Sequence, residues 1–190
     1  MPDQVITHAL ADALPSLGSP DGVHRLAMSP LPDLAGASRA IRADLGILYR
    51  VSLPTEHGGQ SGKVAIRYRA PLTITGAVAV EGPEDLAVGQ RFTVRLVAEK
   101  RHEDSGGRTH ARPVRDEEAE SWCQALLHRH GIKADDLVVS PRWKVGRPGA
   151  RSFTVRDLTA TVTGLTADCT AFTRGLGRGK SFGYGMPLVL

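Results

Sequence analysis

Residues 175–186 read GLGRGKSFGYGM, with glycines at nearly every second position and Arg178 and Lys180 between them. Glycine lets main-chain N–H groups approach an anion with no Cβ in the way, and the two cations neutralise what the amides cradle. The expected ligand is a phosphate backbone, held by Gly175, Gly177, Arg178, Gly179, Lys180 and Gly183. A mononucleotide loop is excluded, because the position five residues before Gly179 is Arg174 rather than glycine. The dinucleotide fingerprint fails too, since the glycines do not fall in its order and a helix-like stretch, Leu165 to Arg174, precedes them. No nucleotide cofactor is expected.

A second cluster able to meet a polyanion runs from 142 to 156 without one acidic residue: Arg142, Lys144, Arg147 and Arg151, with Arg156 just beyond and Trp143 interleaved. Trp143 suits base stacking or packing beneath a hairpin, and the sequence leaves both open. Lys100, Arg101, Arg108, Arg112 and Arg115 form a further set, diluted by Glu103 and Asp104. The formal net charge of +4 hides an asymmetry. Residues 1–90 carry 7 Lys and Arg against 9 Asp and Glu, whereas residues 91–190 carry 17 against 11. A polyanion would therefore bind the second half, although a merely solvated basic surface fits the charge equally well.

The two cysteines, Cys123 and Cys169, are far apart and have no histidine at ligand spacing, so neither a disulfide nor a metal site is expected. The chain starts without a basic, apolar leader and has no membrane-spanning run, which predicts a cytoplasmic protein with no membrane partner.

These side chains need elements to carry them. Val5 to Ala9 predicts a strand, and Ser19-Pro20 predicts a helix start with serine at the N-cap and proline at the first turn. Gly46 to Leu53 and Lys63 to Arg69 alternate as a hairpin around Gly58, Gly59 and Gly62. Asp116 to His130 predicts the strongest helix, capped by Asp116, stopped by Gly131, and burying Ala119, Trp122, Cys123, Leu126 and Leu127 on one face. His128 and His130 read as partners of its C-terminal dipole, and His8 and His57 as surface residues. Phe92 to Val97 predicts a strand leading into a polar insertion, Glu99 to Arg115. Phe153 to Val162 predicts a strand broken by a bulge or turn at Arg156-Asp157, and Thr163 a cap for the helix entering the loop. The pattern supports an α+β class.

The chain resembles the repeat-associated RNA-binding proteins of CRISPR systems. Their C-terminal motif, Gly-hydrophobic-Gly, a basic residue, then Gly-aromatic-Gly, is matched by Gly175-Leu176-Gly177, Lys180 and Gly183-Tyr184-Gly185. Within them it is most similar to the CasE-type endoribonucleases, through the segments Leu17–Arg25, Ile47–Val51, Gly89–Leu96 and Arg112–Trp122. The resemblance implies two tandem ferredoxin-like domains, residues 1–85 and 86–190. It also implies a metal-independent cut in the stem-loop of CRISPR repeat RNA by 2′-OH attack, leaving a 2′,3′-cyclic phosphate, and a place beside the other subunits of the Cascade complex. His24 falls at the family's catalytic position, with Arg25 beside it to hold the phosphate; histidine suits proton transfer near neutral pH. The arm containing Arg142, Trp143, Lys144, Arg147 and Arg151 is expected along the RNA stem, with Lys100 and Arg101 as a second contact. Asp21 stands where the family commonly has a tyrosine. A carboxylate there could orient His24, or cleavage could be lost and the chain act as an RNA-binding subunit that caps the 3′ hairpin.

Overall fold

The computed structural model describes residues 2–32, 41–54, 62–104, 106–146 and 151–190. Strand β1 (Asp3–Ala9) leads into α1 (Leu10–Leu17) and α2 (Pro20–Met28), then α3 (Ile41–Asp44), β2 (Leu48–Ser52), β3 (Lys63–Arg69) and β4 (Val78–Val80). The second half runs β5 (Arg91–Val97), β6 (Glu99–Glu103), β7 (Thr109–Pro113), α4 (Ala119–Arg129), β8 (Ile132–Val139), β9 (Trp143–Val145), β10 (Phe153–Leu165), α5 (Ala171–Arg174) and β11 (Leu188–Val189).

Among the described residues two larger antiparallel sheets form, ordered β2-β3-β1-β4 and β11-β5-β10-β8, with β9 added on β10, and β6 and β7 pair as a separate ribbon. In both larger sheets, the first strand of the unit lies between the third and the fourth, which is the order of the ferredoxin-like α+β fold. In each sheet alternate residues face inward. Ile66 and Tyr68 of β3 join Ile47, Tyr49 and Ala27 in one core, and Phe92, Val94 and Leu96 of β5 join Leu158, Ala160, Cys123 and Leu127 in the other.

A buried arginine joins the halves. The Arg69 guanidinium, 3% exposed, holds both carboxylate oxygens of Asp3 at 2.8 and 2.9 Å. Its remaining donors reach the carbonyls of Phe172 at 3.0 Å and Pro187 at 3.1 Å, and it lies over the Phe172 ring. The desolvation cost of this arginine is offset because its donors meet oxygen acceptors from both units.

Several expectations change. Helix α1, which contains Pro15, was not foreseen. The polar insertion is a hairpin, with Glu99 to Glu103 paired to Thr109 to Pro113. Asp116 does not cap α4; its carboxylate binds Arg156, and a 3-10 turn, Asp116–Glu118, precedes the helix. β10 does not break at Arg156-Asp157, where its pairing with β5 is continuous; its irregularities lie at Thr159/Thr161 and Val162/Gly164 against β8. Thr163 lies within β10, so the helix entering the loop is only Ala171–Arg174, after Thr170. Both cysteines are free, Cys123 buried and Cys169 half-buried. Burial pushes the Cys123 thiol up to about 12, which leaves it inert. No helix among the described residues is long and apolar enough to cross a membrane.

Candidate active site and nucleic-acid interface

α2 starts as its sequence requires: Ser19 Oγ accepts the Gly22 N–H at 3.1 Å and Pro20 occupies the first turn. Gly22 also lets α1 and α2 meet, because a Cβ there would sit 2.3 Å from the Ser16 carbonyl oxygen. The helix so placed carries half-buried His24 to the glycine-rich loop, where Nδ1 lies 2.5 Å from the Ser181 carbonyl oxygen. The buried Tyr49 hydroxyl donates to the same oxygen at 2.8 Å.

A carbonyl only accepts, so the hydrogen bond requires a proton on Nδ1 and leaves Nε2 of the neutral ring with its lone pair. Burial holds the Tyr49 phenol far above its ordinary pKa, so it remains an O–H donor. The arrangement selects one imidazole tautomer and fixes the ring, with Nε2 as the nitrogen able to take or give a proton.

Phe182 packs beside His24, ring centroids 5.8 Å apart, and the Arg151 guanidinium lies 4.8 Å from the centre of the Phe182 ring. Arg151 pairs with Asp21 at 3.1 Å. That carboxylate therefore serves the arginine, and the expected orienting contact to His24 is made by Ser181 instead. Arg151, expected along the arm, is brought to the His24 cluster. Arg25 is exposed, one step of about 100° around α2 from His24.

The loop's glycines mostly answer packing. At Gly183, φ is +85° and a Cβ would stand 2.8 Å from the Tyr49 ring; at Gly177 the nearest atom would be 3.7 Å away, on Leu126. The amides of Leu176 and Gly185 bind the carbonyls of Gly185 and Arg95, and those of Phe182 and Tyr184 bind the Gly179 carbonyl. A cradle of free amides over the whole loop is thus not what these glycines make. Gly175 and Gly179 are likewise packed, a Cβ meeting the Gly185 carbonyl oxygen and Leu48 at the first, and Val97 and Tyr184 at the second. Lys180 is half-buried and lines a notch with Arg42 and Arg174. Its pKa is lowered by desolvation and then by those two arginines. Arg178 Nη2 lies 3.9 Å from Glu99. His130 is no simple dipole partner: its Nε2 accepts the Gly177 N–H at 3.3 Å, and burial, then Lys180 and Arg129, lower its pKa.

β9 pairs with the start of β10, so the basic arm is a hairpin. Arg142, Trp143 and Lys144 are exposed on it, and Arg95 lies 5.3 Å from the centre of the Trp143 ring. Arg147 lies outside the described residues, as do Gly58, Gly59 and His57. Arg156 leaves the basic set: it is 2% exposed and bonds Ser140 O, Val114 O and Asp116. On β6, Lys100 pairs with Glu118 at 3.1 Å and Arg101 is exposed. Sequence reasoning missed Tyr49, Ser181, Arg42 and Arg174. Tyr49 lies in a recognised strand, but no local pattern announces a carbonyl 157 residues from the histidine it holds.

No protein-family model matches the chain, and no curated protein does. Among solved structures it is similar to Thermus thermophilus Cse3 bound to an RNA representing a pre-cleavage complex, with 18% identity, TM-score 0.69 and full coverage of both chains. It is also similar to the CRISPR-associated protein Cas6e of Escherichia coli K-12, with 16% identity, TM-score 0.67 and coverage of 100% of this chain and 98% of that one. A chain of a CRISPR RNA-guided surveillance complex matches at 18% identity and TM-score 0.55, with 98% coverage of each. At these identities the likeness establishes the fold.

Proposed function

We propose that the protein is a CasE-type endoribonuclease that binds the stem-loop of CRISPR repeat RNA and cuts at the base of the stem, remaining with the product beside other Cascade subunits. The observation that carries this reading is the His24–Ser181–Tyr49 arrangement. It presents an imidazole with a defined tautomer at the glycine-rich loop, in a fold shared with Cse3 in its RNA complex. His24 Nε2 takes the proton from the 2′-OH, whose oxygen attacks the adjacent phosphorus as the bond to the 5′ oxygen breaks; that oxygen takes a proton from water and leaves as a 5′-hydroxyl, and the other product ends in a 2′,3′-cyclic phosphate. In this reading Lys180, the residue before Ser181 in the loop, balances charge building on the phosphate. No step of this route calls on a metal ion. The exposed Arg142, Trp143 and Lys144 hold the stem, and their charge makes binding depend on salt.

Asp21 favours a second reading. Paired with Arg151, it supplies no phenol beside the scissile bond, and the chain would then be an RNA-binding subunit that caps the 3′ hairpin without cutting. Labelled repeat RNA incubated with the protein in EDTA separates the two. A single cut, abolished when the 2′-OH next to the scissile phosphate is replaced by hydrogen, is the expected result. Tight binding with intact RNA would establish the second reading, and absence of binding would refute both.

A further inference from the structure

The glycine-rich loop borders a second cavity with residues other than those that meet His24. A cleft of about 690 Å³ is lined by Gly177 and Arg178, by Lys100 and Arg101 of β6, and by Trp122 and Arg129 of α4. Its charge is lopsided. Four cations line it, and the one carboxylate, Glu99, is already engaged by the Thr154 N–H at 2.7 Å and by Arg178. Arg178 Nη1 is buried with no hydrogen-bond partner among the described residues, a cost that a ligand oxygen would remove. Trp122 is half-buried: it packs against the core yet contributes to the wall of the cleft, as do Val97 and Leu126.

An aromatic and apolar wall with cations around it matches one unpaired nucleotide. The base gains from stacking and the phosphate from the guanidinium groups. A paired stem cannot enter, because its bases are stacked inside the helix, whereas a single-stranded flank can turn a base outward. We propose that this cleft binds an unpaired nucleotide of the RNA strand flanking the stem-loop, its base against Trp122 and its phosphate beside Arg129 and Arg178. The proposal rests on the RNA-binding reading above and adds the class of RNA that the second site takes.

Two RNAs test it, both with the scissile 2′-OH removed: the repeat stem-loop alone, and the same stem-loop with four unpaired nucleotides on the flank, one of them 2-aminopurine. The flank is expected to tighten binding about tenfold. The 2-aminopurine fluorescence should be quenched on binding and recover in Trp122→Leu, and Arg129→Ala should remove most of the flank's gain while the stem-loop alone binds that variant as it binds the wild type. Equal affinity for the two RNAs, or a gain that survives both variants, would overturn the cleft and leave the stem-binding reading intact. If neither RNA binds, the RNA reading falls and this inference with it.

Discussion

The glycine-rich loop is built differently along its length. From Gly179 to Gly185 it is gripped: a Cβ at Gly179 would stand 2.6 Å from Val97, one at Gly183 2.8 Å from Tyr49, and one at Gly185 meets the Leu176 carbonyl. At Gly177, beside the second cleft, the nearest atoms are at ordinary contact distance. The gripped stretch holds a single carbonyl, that of Ser181, in register with a histidine; the open stretch leaves room for something else to approach. Glycine spacing that reads as a phosphate cradle is thus largely a packing pattern. Its outcome is the fixed position of the Ser181 carbonyl.

Removing the imidazole tests the gripped side most severely. His24→Ala should lower cleavage by about 10²–10⁴-fold while repeat affinity changes only a few-fold, because in the proposed route the ring moves protons and contributes little to ground-state binding. Single-turnover rates against filter-binding constants measure this, and normal cleavage by the variant would take His24 out of the mechanism.

The contrast between the two stretches should appear next in stability. Gly183→Val combines a collision with Tyr49 and a left-handed backbone, for a loss of about 2–4 kcal/mol. Gly177→Ala bears only the backbone term, about 1 kcal/mol. Urea denaturation of the two variants side by side would erase the distinction if the losses were equal.

A smaller effect is expected at Tyr49, a positioning residue. Tyr49→Phe leaves the Ser181 carbonyl with His24 as its remaining donor and should reduce kcat roughly three- to tenfold with KM unchanged, the worth of one hydrogen bond. The pH–rate profile should shift with it, whereas a purely structural role for Tyr49 would lower stability and leave the profile in place.

The smallest effect concerns the open stretch and pH. His130 has a folded pKa below its ordinary 6.5, so the unfolded chain binds its proton more readily. Its contribution to stability is therefore complete above about pH 6.5 and is lost as pH falls toward the lower folded value. Protonation removes the acceptor for the Gly177 N–H. Denaturation midpoints between pH 7.5 and 5.5 should decline less in His130→Gln than in the wild type, and parallel curves would dissociate His130 from the loop.

Local signals marked the parts whose causes are local. Ser19-Pro20 starts α2, the alternation of Leu48–Ser52 and Lys63–Arg69 forms β2 and β3, and Gly131, at φ +75°, ends α4. Other features depend on distant partners. Arg156 interrupts the apolar alternation of β10 and so reads as a break, yet the strand continues because Asp116, Ser140 and Val114 satisfy the guanidinium inside. Residues 99–113 show no apolar face because the hairpin is largely exposed, and its pairing is visible only in three dimensions. In the candidate site, the sequence singled out both His24 and the loop, and the structure brings the two together. The orientation of His24 was not legible, since a main-chain oxygen of the far end supplies it.

The clasp at Arg69 has a consequence for synthesis. A ribosome makes Asp3 and Arg69 long before Phe172 and Pro187, the two carbonyls that complete the guanidinium's set of acceptors. Until those residues emerge, two of the acceptors that the Arg69 guanidinium has in the folded chain are missing, so the N-terminal half is expected to close late. Nascent chains arrested after residue 160 should accordingly stay sensitive to protease around β3, and become resistant once residue 190 has cleared the exit tunnel. Pro187, just before β11, follows directly on the loop whose Ser181 carbonyl holds His24, so the orientation of that histidine and the closing of the Arg69 clasp depend on the same late segment.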